Sequence, residues 1–515
     1  MGFEEGYIGF LKRIPGVANP IVKLTFKAKL KWTGLILILY FVMTQITVYG
    51  VGEATFEQFS ILQILLGSTF GSLMTLGIGP IVTASIILQL LVGSKIIPWD
   101  LKSEKGKILF QGTQKFLAIV LSIVEAMIFV SLGAVPPATP GLAWIVIAQL
   151  ALGGILVIFM DELISKWGFG SGVGLFIVGG VSKTIIIRMF NPLTQGGGWP
   201  GVGNPPAGAI PFAVTALGAG ETIQAFIAML PVLATVIVFL LVIYANAIKI
   251  EIPLAFGSVR GFGRRWPLRF FYTSNIPVIL TAALLANVQL MARMLSQGGA
   301  SWLGSFDSQG NPTGGLIYFL IPPSPSVGSG LVIAQIMVFV GLFALIGAIV
   351  AYFSKKSTGK MILFFAVLGG VLWYLIMSAT DMSSLISFEL IDLARVGIYS
   401  LFLIGGAILF SVFWMNTSGM DAKAVAEQIQ STGMQIPGYR RDIRIIERVL
   451  NRYIPALAVL GGAAVGALAA YADFTGALGS GTGILLATMI IYQLYEELAM
   501  QHMQDMHPAI RRLLE

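Results

Sequence analysis

Between Glu57 and Lys95 the chain runs for 37 residues without a charged side chain, which is too long for one membrane crossing. A helix of that length would reach ~55 Å at about 1.5 Å per residue, against a hydrocarbon core of about 30 Å. The run also carries its own break, at Gly71 and at Gly77-Ile78-Gly79-Pro80, where glycine and proline stop a helix. It parses as a short half-helix over Gln58–Phe70, a turn, and a full span over 77–96. Interrupted backbone at membrane depth survives only where protein buries it or where it lines an aqueous path. A pore or a transport pathway is implied.

The remainder of the chain is equally apolar. Hydrophobic residues make up 56% and charged residues 11%, against roughly 25% charged in soluble domains. Apolar windows predict full spans at 33–49, 77–96, 112–133, 143–164, 172–190, 222–246, 275–294, 331–353, 361–379, 396–415, 454–471 and 483–499. No stretch is long and polar enough for a separate soluble domain. The first 31 residues carry six cations without a clear cleavage site, so a cleavable signal peptide is not expected. They read instead as a surface segment with Phe3, Ile8, Phe10 and Leu11 in the membrane interface. The chain has no cysteine, which excludes disulfides, thiol catalysis and Cys-based metal sites.

With the N-terminus in the cytoplasm and every span crossing, 28 of the 32 Lys and Arg fall on the cytoplasmic side. Lys183, Arg188, Arg293 and Arg395 are the remainder. This is the positive-inside pattern, and it places both termini in the cytoplasm. External residues 191–220 and 297–330 are Gly/Pro/Ser-rich and read as irregular loops. Two long cytoplasmic loops are basic: 249–273 with Arg260, Arg264, Arg265 and Arg269, and 416–452 with Arg440 and Arg441 among others. Charge alone fits a topology determinant beside anionic lipid, or a docking face for an acidic partner such as nucleic acid.

Little here suits catalysis. The two histidines, His502 and His507, lie in the tail and read as solvated. Gly168-Phe-Gly-Ser-Gly-Val-Gly174 lacks phosphate-loop spacing and reads as a tight helix start. Ionisable groups within spans are more telling, because they cost several kcal/mol unless paired or hydrated. Glu125 and Lys183 are such groups, and Thr83 and Asn287 are polar positions in otherwise apolar helices.

Several motifs together resemble one family. Gly77-Ile-Gly-Pro-Ile-Val-Thr-Ala-Ser-Ile-Ile-Leu-Gln-Leu-Leu91 is similar to the second span of the SecY family, in its archaeal form. Phe110-Gln-Gly-Thr-Gln-Lys115, Asp161-Glu-Leu-Ile-Ser-Lys166, Glu251-Ile-Pro-Leu254 and Ser274-Asn-Ile-Pro-Val-Ile-Leu280 follow in family order. Thr417-Ser-Gly-Met-Asp-Ala422, Gly479-Ser-Gly-Thr-Gly483 and His507-Pro-Ala-Ile510 complete the series.

The resemblance implies an all-α polytopic membrane protein with a ten-helix core in two inverted halves, 1–220 and 221–515. It implies a plug at Gln58–Phe70 and a pore ring of Ile78, Val82, Val173, Ile177, Ile276, Ile279 and Leu486. A lateral gate would carry Thr83, Glu125 and Asn287, and Arg260, Arg264, Arg440 and Arg441 would dock the ribosome. The implied partners are SecE-type and SecG/beta-type small subunits, signal sequences, nascent polypeptide and membrane lipid. No cofactor is implied. One departure stands out: three spans occupy 331–415 where the family has one, so an inserted two-helix hairpin at about 331–379 is expected. The resulting expectation is a channel in the plasma membrane that passes unfolded polypeptide and releases apolar segments sideways, without enzymatic chemistry. A twelve-span secondary transporter is the alternative, although only one clear helix break is visible.

Overall fold

The computed structural model describes residues 3–22, 24–52, 68–99, 101, 103–131, 133–194, 198–201, 204–256, 263–273, 276–297, 302–307, 312–323, 328–354, 357–379, 390–431, 434–435 and 443–505. Most of the expected plug therefore lies outside the described residues. Among them, ten helices are long and apolar enough to cross a membrane. The long helices of the first half of the chain are α2 (Phe26–Met43), α3 (Gly79–Gly93), α4 (Glu104–Ser131), α5 (Ala143–Trp167) and α6 (Gly172–Phe190), after a short amphipathic α1 (Phe3–Leu11). Leu11 of α1 is buried against Gly112 of α4, where a Cβ would come within 2.9 Å of it, so the N-terminal segment packs on protein as well as interface.

The twelve expected spans each coincide with a helix, but the edges differ. α3 is about 22 Å long, shorter than the expected 77–96, because Gly77 turns the chain at φ 52° and Pro80 opens the helix. α4 begins at Glu104, well before the apolar window, since a hydropathy window misses charged turns that project beyond the hydrocarbon.

The later part of the chain contains α7 (Ala209–Gly218), α8 (Thr222–Ala247), strands β1 (Lys249–Phe256) and β2 (Gly263–Arg269), and α9 (Ile276–Gln297). Then come β3 (Ser305–Phe306), β4 (Pro312–Gly314), α10 (Leu316–Phe319), α11 (Gly328–Ser354), α12 (Thr358–Ala379), α13 (Leu390–Thr417), α14 (Ala422–Ser431), β5 (Met434–Gln435), α15 (Ile443–Phe474) and α16 (Gly481–Asp505). Two expected irregular loops are corrected. α7 occupies part of 191–220, because Ala209–Leu217 is a nearly uninterrupted apolar run that a glycine-rich average conceals. The 297–330 segment holds the antiparallel β3–β4 pair and α10. The two basic loops join in one sheet of order β2-β1-β5, with Lys249 opposite Arg269 and Ala255 opposite Gln435.

α11 and α12 cover the segment where an inserted hairpin is expected, and they pack on each other as a pair. Its helices pack closely because Gly347 and Gly369 leave no side chain between them; a Cβ there would lie 2.8 Å from the Met361 and Phe339 carbonyl oxygens, respectively. Trp373 Nε1 donates to Gln335 Oε1 across the hairpin. The Tyr471 hydroxyl of α15 donates to the Met337 carbonyl at 2.8 Å, in a space that Gly341 leaves open. α12 contributes a lipid-ready stripe of Leu363, Phe364, Val367 and Tyr374. By helix parity its exposed turn residue Ser357 shares the face of the basic loops. In this cysteine-free chain, a Ser357→Cys variant should react with an impermeant thiol reagent only from that face. Labelling from the opposite side of sealed vesicles would exclude the topology.

Two helix junctions repeat the same chemistry. At the α5–α6 turn, Asp161 Oδ1 accepts from the Val173 amide at 2.9 Å and the carboxylate also takes the Gly172 amide, while Ser171 Oγ accepts from Gly174. At the α15–α16 turn, Asp473 Oδ1 accepts from the Thr482 amide at 2.8 Å and the carboxylate takes the Gly481 amide, while Ser480 Oγ accepts from Gly483. A carboxylate at a helix N-terminus satisfies orphan amides and meets the positive end of the dipole. Both sites lie in a Gly-Ser-Gly-Val/Thr-Gly sequence, 170–174 and 479–483. At both, the third residue must be glycine: a Cβ on Gly172 would lie 2.6 Å from Asp161 Cα, and on Gly481 1.7 Å from the Ala472 carbonyl carbon.

Candidate functional site

A cavity of about 820 Å³ opens among α3, α4, α6, α9, α13 and α16. Its mouth is on the face of the basic loops, being lined by Lys107 at the start of α4, by Ser171 and by Ser418. Its wall is mixed: Gln114 Nε2 donates to Ser85 Oγ at 2.6 Å, and Gln89 is buried with Oε1 unpartnered among the described residues. Asp161, Glu427 and Glu497 add acidic groups. The polar wall was not singled out from sequence, although Phe110-Gln-Gly-Thr-Gln-Lys115 and Thr417-Ser-Gly-Met-Asp-Ala422 contribute much of it.

At its inner end the lining turns aliphatic. Val82, Val173, Ile276 and Ile279 from three helices line the cavity. Ile78, Ile177 and Leu486 lie one helical turn further from the mouth than Val82, Val173 and Ile490, and each is at most 1% exposed. Ile78, Val82, Ile177 and Leu486 belong to the main apolar core and Val173, Ile276 and Ile279 pack against it, a core that also takes in residues of most other long helices. Apolar side chains at that depth give water no hydrogen-bonding partner.

Thr83, Glu125 and Asn287 also meet, from α3, α4 and α9. Asn287 Nδ2 donates to Thr83 Oγ1 at 3.2 Å, and the Thr83 hydroxyl hydrogen-bonds the Glu125 carboxyl. A single hydroxyl thus ties three helices at a polar point in an apolar seam. Lys183 stands apart from both groups, on the second half of α6. Arg260, Arg440 and Arg441 lie outside the described residues, and Arg264 is placed by its backbone in β2, opposite Leu254.

These features define a polytopic helical membrane protein with a cavity that opens on the face of the basic loops and is lined by aliphatic side chains at its inner end. Family models match it twice: SecY over residues 72–495 and the plug domain of Sec61p over residues 38–71. The chain is 43% identical to the protein translocase subunit SecY of Methanothermobacter thermautotrophicus, over 99% of each chain. Among solved structures it is similar to one described as the structure of a protein conducting channel, with TM-score 0.76 and 38% identity over 98% of this chain and 99% of that one. It also resembles Sec61 in the canine ribosome-channel complex from the endoplasmic reticulum, with TM-score 0.73 and 38% identity over the same shares. The chain belongs to the SecY family. The secondary-transporter alternative is not favoured.

Proposed function

We propose that this chain is the central pore-forming subunit of a protein translocation channel, passing unfolded polypeptide across the membrane and releasing apolar segments through a lateral gate. The observation that carries this reading is the cavity whose inner end is lined by Val82, Val173, Ile276 and Ile279, with Ile78, Ile177 and Leu486 buried in the adjoining apolar core; these seven are the collar of the proposed channel. Such a collar holds back ions at rest yet deforms around an extended chain. No bond is made or broken, and no residue is assigned a catalytic role. The driving energy comes from a partner.

The Thr83–Glu125–Asn287 contact is the polar clasp of the gate: parting α3 and α4 from α9 breaks the Asn287 bond first. The plug falls within the segment that matches the plug domain. Residues 1–220 and 221–515 form the two inverted halves, a division supported by the repeated carboxylate-capped turns. α11–α12 is an insertion that packs at the periphery, on α8 and α15. The membrane is the plasma membrane, with the basic face and both termini in the cytoplasm. SecE-type and SecG/beta-type subunits complete a heterotrimer.

Reconstitution with those subunits, followed by a protease-protection assay of a secretory substrate, tests the reading; vesicles that never protect substrate would end it. The ribosome is the partner proposed for the basic loops. Arg440→Glu with Arg441→Glu should then weaken ribosome binding at low salt by about tenfold or more, an effect that fades as screening shortens to about 8 Å near 0.15 M salt. Unchanged affinity at low salt would assign those arginines to lipid.

A further inference from the structure

Four cations fall outside the basic face, and internal contacts account for two of them. Arg395 donates from Nε and a terminal nitrogen to the Ile321 and Pro322 carbonyls at 2.7 and 3.1 Å, with its guanidinium over the Tyr318 ring. Arg293 lies over Phe306. Arg188 makes one long bond to the Leu478 carbonyl, 3.4 Å, and Lys183 has no acceptor among the described residues.

Lys183 and Arg188 line the same cleft, of about 250 Å³, between the end of α2 and the second half of α6. Ser68 lines it as well; this residue is 8% exposed and its Oγ has no hydrogen-bond partner among the described residues. Thr44, Thr69 and Thr184 add hydroxyls, and no carboxylate among the described residues lines the cleft. Two cations and an orphaned hydroxyl converging on a space several times the ~30 Å³ share of a water molecule call for an anion with several oxygens.

Depth narrows the choice. Lys183 lies seven residues before Phe190, the end of α6, so its Cα is ~10 Å inside the helix end, within reach of the headgroup level by snorkelling. Beside the cleft, Ile186, Ile187 and Phe190 are exposed, a surface suited to acyl chains. We propose that this cleft binds the phosphate group of an anionic lipid in the leaflet opposite the basic loops.

The full chain in detergent would be titrated with phosphatidylglycerol, and separately with inorganic phosphate, with bound species counted by native mass spectrometry. One tightly retained lipid is expected, and Lys183→Gln with Arg188→Gln should weaken its retention about tenfold or more, the scale of a lost charge-assisted hydrogen bond. Ser68→Ala should weaken it less, and Lys183→Arg should preserve it, which guards against a misfolded double variant. Lys423→Gln, on the exposed basic side, should change nothing. Retention of inorganic phosphate but not lipid would keep the anion site and move its source to solution. Equal lipid retention in wild type and the double variant would overturn the proposal. So would loss of a small subunit from the double variant with lipid retention unchanged, since the cleft would then be a protein contact.

Discussion

Replacing Ile78, Val82 and Ile279 together with serine should raise the resting ion conductance of the reconstituted channel about tenfold or more. Each hydroxyl gives water a partner at the narrowest apolar point, and about 1.4 kcal/mol off a permeation barrier is worth one decade. Ile78 and Val82 are buried in the main apolar core and Ile279 packs against it, Ile78 at the N-cap of α3 and Val82 four residues on. The control is three serines at exposed aliphatic positions of α12, Leu363, Val367 and Val371, which should leave conductance unchanged. Planar-bilayer recordings with the plug segment deleted remove that second seal from the comparison. If the collar variant then stays as tight as its parent, these residues do not form the barrier.

The second large effect concerns folding. Gly481→Ala should abolish the native state, because its Cβ would sit 1.7 Å from the Ala472 carbonyl carbon and only backbone displacement could relieve that. Asp473→Ala should be milder. It removes acceptors for the Gly481 and Thr482 amides, for the Thr482 hydroxyl and for the Tyr399 hydroxyl, a loss on the order of 3–5 kcal/mol for a hydrogen-bonded charge of this kind. Gly405→Ala, where nothing lies within 4 Å, should stabilise its helix by about 0.5–1 kcal/mol. Monodisperse yield and thermal melting in detergent order the three. A folded Gly481→Ala variant melting like wild type would mean that the α15–α16 turn is not as tight as described.

The spans were legible because a membrane leaves a helix few alternatives, and Glu125 was legible because a carboxyl in an apolar run needs a partner. That partner proved to be Thr83, which Asn287 also holds. The collar was not legible from pattern. Ile78 and Ile86 are both aliphatic, both buried and both in the main apolar core, so neither pattern nor burial separates a sealing residue from a packing one, and the resemblance alone implies the choice. α7 was hidden by the glycine and proline around it. The basic loops announced their charge but not their strands, because β1 pairs with β2 nearby and with β5 from a loop far along the chain.

The carboxylate-capped turns carry a consequence for polarity. One closes α5–α6 on the side of the basic loops, and its counterpart closes α15–α16 on the other side. These two turns therefore do not by themselves distinguish one surface from the other. What breaks the tie is the set of cationic loops, 28 positive residues against four. On the topology proposed above, orientation in the membrane is set by that charge and not by the two turns. Charge-reversing substitutions in the loops would therefore test that orientation more directly than changes at either turn.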